Sequence, residues 1–242
     1  MKIKLLGIVF VLAAFVAAGN AQSVVVTGKK VTYNRPKPIS EYKKTFTINY
    51  PKIKAATPVL SKKIEAAASY EKAFGFTLKE ELGEIQWLET ADYEVIYNKN
   101  GILCLSLFIE GSGAYPSSST KYVVVDTNTG LKQIPANLFT NLAGLAALIK
   151  KQQKTEITAT IKEIKADKTN EELNPEYFFE SSDFKIKDLN NFSIDGEGVT
   201  FHYDYGFPHV IQALQPAGEF KFTWTQLKPY IKNGGLLSRM KR

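Results

Sequence analysis

The hydrophobic positions of this chain change period several times, and each period predicts an element. An unbroken apolar run over 5–18 follows Met1-Lys2-Ile3-Lys4 and ends in Gly19-Asn20-Ala21, ahead of Gln22. Residues 45–50 alternate with period two, so Phe46, Ile48 and Tyr50 share one face of a strand that Pro51 ends. Leu60, Ile64, Ala67 and Ala68 recur at helical spacing behind Thr57 and Pro58, which suit an N-cap and a first helical residue. A helix over 58–73, closed by Gly75, is predicted. Strands at 93–97 and 102–109 flank Asn98-Lys99-Asn100-Gly101, a strong hairpin signal. A third strand at 121–125 continues the meander beyond a glycine- and serine-rich loop over 111–120.

Leu142, Leu145, Ala146 and Ile149, continued by Ile157, Ile161 and Ile164, predict a second long helix to about residue 165, capped by Thr140 or Asn141. Residues 166–183 are a polar connection with a turn at 175–179. Two further strands, 191–194 and 199–203, flank the turn Asp195-Gly196-Glu197-Gly198. A last strand at 219–224 leads into a helical segment near 225–231. The fold class is therefore α+β: an antiparallel sheet of hairpins and a meander, packed with two main helices. Residues 22–41 are polar and basic and carry Pro36 and Pro38, so they read as a flexible lead-in with one short strand at 24–26.

The first 21 residues have the charged, apolar and small-x-small order of a cleavable secretory signal, with cutting expected after Ala21. The stretch 5–19 is shorter than the roughly 20 apolar residues a spanning helix needs, so no stable membrane insertion is expected after cleavage. A periplasmic or secreted location follows. Removal of Lys2 and Lys4 takes the formal charge from +7 to +5, spread along the chain apart from a basic tail over 234–242. Nothing in that distribution resembles a basic stripe interleaved with aromatics, so nucleic acid is not an expected partner. Cys104, the only cysteine, sits in a strand apolar on both faces and is expected to be buried.

These elements, in this order over about 42–233, resemble a bacterial extracytoplasmic family. Residues 42–140 are similar to the module preceding the catalytic domain of a peptidoglycan deacetylase (PdaC-like). Residues 141–233 are similar to the extracytoplasmic domain of a lysozyme-sensing anti-sigma factor (RsiV-like), and the two halves are expected to form one compact unit. The resemblance rests on Ile48-Asn49-Tyr50-Pro51-Lys52-Ile53, on Tyr93-Glu94-Val95-Ile96-Tyr97-Asn98 with Gly101-Ile102-Leu103, and on the strand and Thr-Gly turn of 122–140. Asn191-Phe192, Val199-Thr200-Phe201-His202-Tyr203 and Thr225-Gln226-Leu227 complete it. It implies an α+β domain of the cell envelope and no reaction. The chain departs from the family at Gly113-Ala114-Tyr115, where relatives carry a histidine-containing loop. Only Met1 to Lys4 precede the apolar run, so an anti-sigma role is not expected.

Candidate chemistry is sparse. His202 and His209 are the only histidines; with Asp204 they form the one conceivable zinc set, against which stands an ordinary solvent-facing strand. No G-x-S-x-G elbow occurs, and Asp195 with Glu197 suits a turn better than an acid–base pair. No catalytic residue and no cofactor is assigned. Binding has better material. Tyr115 and Ser117 lie in the predicted loop, where recognition residues concentrate, and Tyr203 and Tyr205 could stack on a sugar ring or anchor a protein. Phe220, Phe222 and Trp224 share a strand face and read as core. The expected function is an exported, non-catalytic envelope module binding peptidoglycan, another glycan, or a protein such as a lysozyme-like hydrolase. The alternative is a secreted peptidoglycan- or glycan-modifying enzyme.

Overall fold

The computed structural model describes residues 23–240. The expected secretory signal, its expected cleavage site after Ala21, and the end of the basic tail, Lys241-Arg242, lie outside the described residues. The chain runs through β1 (Val25–Asn34), β2 (Thr45–Lys54), α1 (Pro58–Ala67), α2 (Tyr70–Phe74), α3 (Leu78–Leu82), β3 (Leu88–Lys99), β4 (Ile102–Ser112), β5 (Pro116–Asp126) and β6 (Leu131–Lys132). It continues through α4 (Pro135–Leu138), α5 (Leu142–Ala166), β7 (Phe192–Ile194), β8 (Gly198–His202), β9 (Glu219–Thr223) and α6 (Trp224–Leu227). Short 3₁₀ turns at Pro175–Phe179, Ile186–Asn190 and His209–Leu214 fill the connections. The α+β class is as the periodicity predicts.

Strands β1 to β6 form one six-stranded sheet in sequence order, and β7 to β9 a second, three-stranded one. One pairing departs from the predicted antiparallel pattern: β2 and β3 run parallel, meeting at Thr47–Thr90 and Ile48–Ala91. The helices α1 to α3 supply the crossover that parallel strands require. At the β3–β4 turn, Asn100 and Gly101 both hold positive φ, 54° and 74°. That is the primed turn whose twist suits a two-residue hairpin.

The lead-in expected to be flexible is instead β1, a ten-residue strand paired with β2 from Val25–Lys54 to Asn34–Thr45. Its inward phase changes along its length: Val24 and Val26 face the core before Gly28, Val31 and Tyr33 after Lys30. A period-two reading loses the strand at that change. Arg35 then fixes the connection to β2. Its side chain is buried and donates to the carbonyls of Lys43, Glu81 and Leu88, with its guanidinium 4.8 Å from the Phe46 ring centroid.

The predicted helix over 58–73 is two helices. Thr57 caps α1 by accepting from the Leu60 N–H. Ala68 leaves the helical region (ψ 22°), and the chain turns Tyr70 inward, where its hydroxyl donates to the Asn49 carbonyl. Gly75 closes α2 with φ 74°, as expected.

Two apolar clusters sit on opposite faces of the large sheet. Leu103, Leu105, Leu107, Val123 and Val125 pack with Ile64 and Tyr70 of the helical layer. Ile102, Cys104 and Val124 face Phe192, Ile194, Phe201 and Phe222 of the small sheet and Leu145 and Ile149 of α5. Burial on both faces explains the continuous apolar run of β4. Cys104 belongs to this core. Burial pushes its thiol up to about 12, and its Sγ accepts from the Ile194 N–H at 3.3 Å. The second cluster draws on both 42–140 and 141–233. Phe220 and Phe222 are buried, as predicted. Among the described residues, no helix is long and apolar enough to cross a membrane.

Candidate functional site

Strand β6 covers only Val125 and Asp126 of β5, so the earlier part of β5 keeps a free edge. The Gln133 N–H donates to the Val124 carbonyl, which therefore points away from β4. Backbone groups of alternate residues in an antiparallel ladder point the same way. Those of Tyr122, two residues earlier in an unbroken β4–β5 register, consequently also face outward. A cleft of about 420 Å³ lies along this edge, lined by Lys121, Lys132, Lys187, Asn190, His202 and Asp204 among others. These residues come from β5, β6, the turn before β7, and the end of β8, which the packing of the two sheets brings together.

At the β5 wall, the His202 ring lies on the Tyr122 ring with centroids 3.8 Å apart and planes 15° apart. Its Nε2 is 2.9 Å from the Ser193 hydroxyl, and its Nδ1 is 3.7 Å from Glu219 Oε1. Burial holds the imidazole down at about 4, so it is neutral near pH 7. Burial likewise raises the Tyr122 phenol. Desolvation alone lowers the Lys132 ammonium below the ordinary lysine range, although the residue as a whole is exposed. Asp188 and Asp204, the carboxylates of the lining, accept from the backbone N–H groups of Lys185 and Gly206.

The zinc alternative is not supported. His202 is engaged as described, Asp204 closes its own turn, and His209 stacks on Tyr115 with centroids 4.8 Å apart. Among the described residues, no group of three or more His, Cys, Asp or Glu side chains could hold a metal ion.

The loop expected over 111–120 shrinks to Gly113-Ala114-Tyr115, because β4 and β5 stay paired out to Ser112–Pro116. A Cβ on Gly111 would lie 2.1 Å from the Trp87 carbonyl oxygen, so glycine is what lets β3 and β4 close up there. Tyr115 is 60% exposed at the tip, and Ser117 is exposed and pairs with Gly111. Tyr203 is half-buried and lines the cleft. Tyr205 does not: it is buried against Phe179 and Phe207, and its hydroxyl donates to Glu156 at 2.6 Å. It is therefore core and not a contact residue. Tyr203 and Tyr205 touch edge to face with centroids 5.0 Å apart, but with Tyr205 in the core the four tyrosine and serine candidates do not make one exposed site.

Lys121, Lys132, Lys187 and Asn190 were invisible to sequence reasoning, because lone lysines at strand starts and in turns read as solvated surface. No spacing connects four positions whose meeting depends on how two sheets pack.

No protein-family model and no curated protein matches the chain. Solved structures do resemble it, among them two DUF3298 proteins. One is a member of the DUF3298 family from Bacteroides fragilis NCTC 9343, with a TM-score of 0.57 and 16% identity, covering 90% of this chain and 96% of that one. The other is a DUF3298 family protein from Pseudomonas aeruginosa PAO1, with a TM-score of 0.57 and 14% identity, covering 88% and 97%. This chain shares the fold of these DUF3298 proteins. The likeness extends over nearly the whole length of both, so the two-sheet arrangement that builds the cleft belongs to a fold already seen. Both are described by a family of uncharacterised function, which assigns neither activity nor ligand.

Proposed function

We propose that this chain is an exported, non-catalytic binding module of the cell envelope and that it holds a glycan in the cleft along β5. The observation that carries the reading is the lining itself. Ammonium, amide and carboxylate groups converge from four segments on one cleft of about 420 Å³, within the ~300–1,000 Å³ range of small-ligand sites. Sugar hydroxyls both donate and accept, and Asn190, Asp204 and the outward backbone groups of Tyr122 offer both partners. Export is supported by the order of residues 1–21, and the envelope setting by the PdaC-like and RsiV-like resemblance.

Titration calorimetry of the mature protein with chitotetraose and soluble muropeptides tests this. Binding that Asn190→Ala weakens by about tenfold, with the fold intact, is expected. Absence of binding to every saccharide by folded protein would overturn it. Mature protein beginning at Gln22 and recovered outside the cytoplasm is the expected result for the export part; an intact Met1 on membrane-bound protein would contradict it.

Two specific observations favour other readings. Tyr115, exposed at a hairpin tip, suits a protein partner such as a lysozyme-like hydrolase, and capture of lysozyme lost on Tyr115→Ala would support that. Ser193, His202 and Glu219 stand in the order of a hydrolase triad. The arrangement is a poor catalyst as it stands. The Ser193 side chain is buried and does not line the cleft. The imidazole is a weak base at about 4, and Glu219 lies 3.7 Å away, beyond hydrogen-bond reach, and is largely exposed.

A further inference from the structure

The cleft holds three cations without a partner. Among the described residues, Lys121, Lys132 and Lys187 make no ion pair, as is true of most of the lysines; what sets these three apart is that they line one cleft. The two aspartates of the lining, Asp188 and Asp204, form no ion pair with them and offset only part of their charge, leaving the lining with one net positive charge. Asp188 and Asp204 each have an oxygen committed to a backbone N–H of their own turn. Lys132 is partly desolvated, and no neighbouring carboxylate offsets this. All three lysines are exposed enough to stay charged in water, and an anionic ligand in the cleft would give them the counter-charge they lack.

Resting on the cleft as the glycan site, we propose that Lys121, Lys132 and Lys187 form the seat of an anionic group, so that the cleft takes a carboxylate- or phosphate-bearing saccharide in preference to a neutral one. The lysines come from three different segments of the lining and are point charges that tolerate either anion. The Asn190 amide oxygen and remaining N–H, the other N–H donating to the Lys187 carbonyl at 2.8 Å, and the outward backbone of Tyr122 are left for the hydroxyls. His202, neutral at pH 7 and stacked on Tyr122, adds a flat ring surface to the wall and not a further charge.

The test is calorimetric titration of the purified protein with four probes: hyaluronan tetrasaccharide (carboxylate), glucose 6-phosphate (phosphate), chitotetraose (neutral) and inorganic phosphate. Each is repeated with Lys132→Gln, Lys187→Gln and the double variant. At least one charged saccharide should bind about tenfold or more tighter than chitotetraose. The double variant, and 0.5 M salt, should remove that advantage by weakening the charged saccharide far more than chitotetraose, and the carboxylate and phosphate arms show which anion is preferred. Equal affinity for charged and neutral saccharides, or a preference that survives the double variant, overturns the anion seat and leaves the glycan reading standing. Binding of inorganic phosphate alone, dependent on Lys132 and Lys187, keeps the seat and removes the glycan reading. No binding of any probe by folded protein removes both. Urea midpoints of the variants check that lost binding is not lost folding.

Discussion

The imidazole of His202 lies flat on the phenol ring of Tyr122, 3.8 Å between centroids, joining the end of β8 to the free edge of β5. This contact between the two sheets forms one wall of the cleft. It also makes the fold sensitive to acid. The folded histidine titrates at about 4, below its ordinary 6.5, because burial opposes the charged form. Between those values the unfolded chain binds more protons, so stability falls as pH drops from about 6.5 towards 4. Above about 6.5 the contribution is fully present. The shift corresponds to about 3 kcal/mol. In urea unfolding at pH 7 and pH 4.5, His202→Asn should lose less stability between the two pH values than the wild type.

Ser193 should not behave as a nucleophile. A fluorophosphonate probe is expected to leave the folded protein unlabelled, as read by intact mass. Ser193→Ala should cost about 1 kcal/mol, the worth of one hydrogen bond. A stoichiometric adduct that Ser193→Ala abolishes would instead establish the hydrolase reading.

Arg35 holds the 35–44 connection by donating to three main-chain carbonyls from a buried position. Arg35→Met keeps much of the stem volume and leaves those carbonyls unpaired. A loss of about 3 kcal/mol in urea unfolding is expected. Limited proteolysis should then cut first within 35–44.

Tyr115 contributes one exposed stack on His209 and nothing to the core clusters. Tyr115→Ala should lower stability by about 1 kcal/mol or less and leave saccharide affinity unchanged. A loss of about 3 kcal/mol or more, as for a truncated core aromatic, would mean that the tip is structural.

The sequence by itself determined the local elements wherever a single period persisted. The β3–β4 hairpin, the long helix α5 and the β7–β8 hairpin are legible because turn chemistry at Asn100-Gly101 and Asp195-Gly196, and apolar spacing from Leu142 to Ile164, are properties of neighbouring residues. The burial of Cys104 is legible for the same reason. Where the inward face changes phase, as across Gly28 to Lys30, the signal cancels, although β1 exists through its ladder with β2. Tyr203 and Tyr205 look alike in sequence. Only the packing of Phe179 and Phe207 decides that one lines a cleft and the other is core. The cleft was settled entirely by tertiary structure. Its lysines lie up to 66 positions apart in the chain, and they meet because the apolar faces of β4, β5, β7, β8 and α5 bury one another, a long-range consequence that no local pattern of charge records.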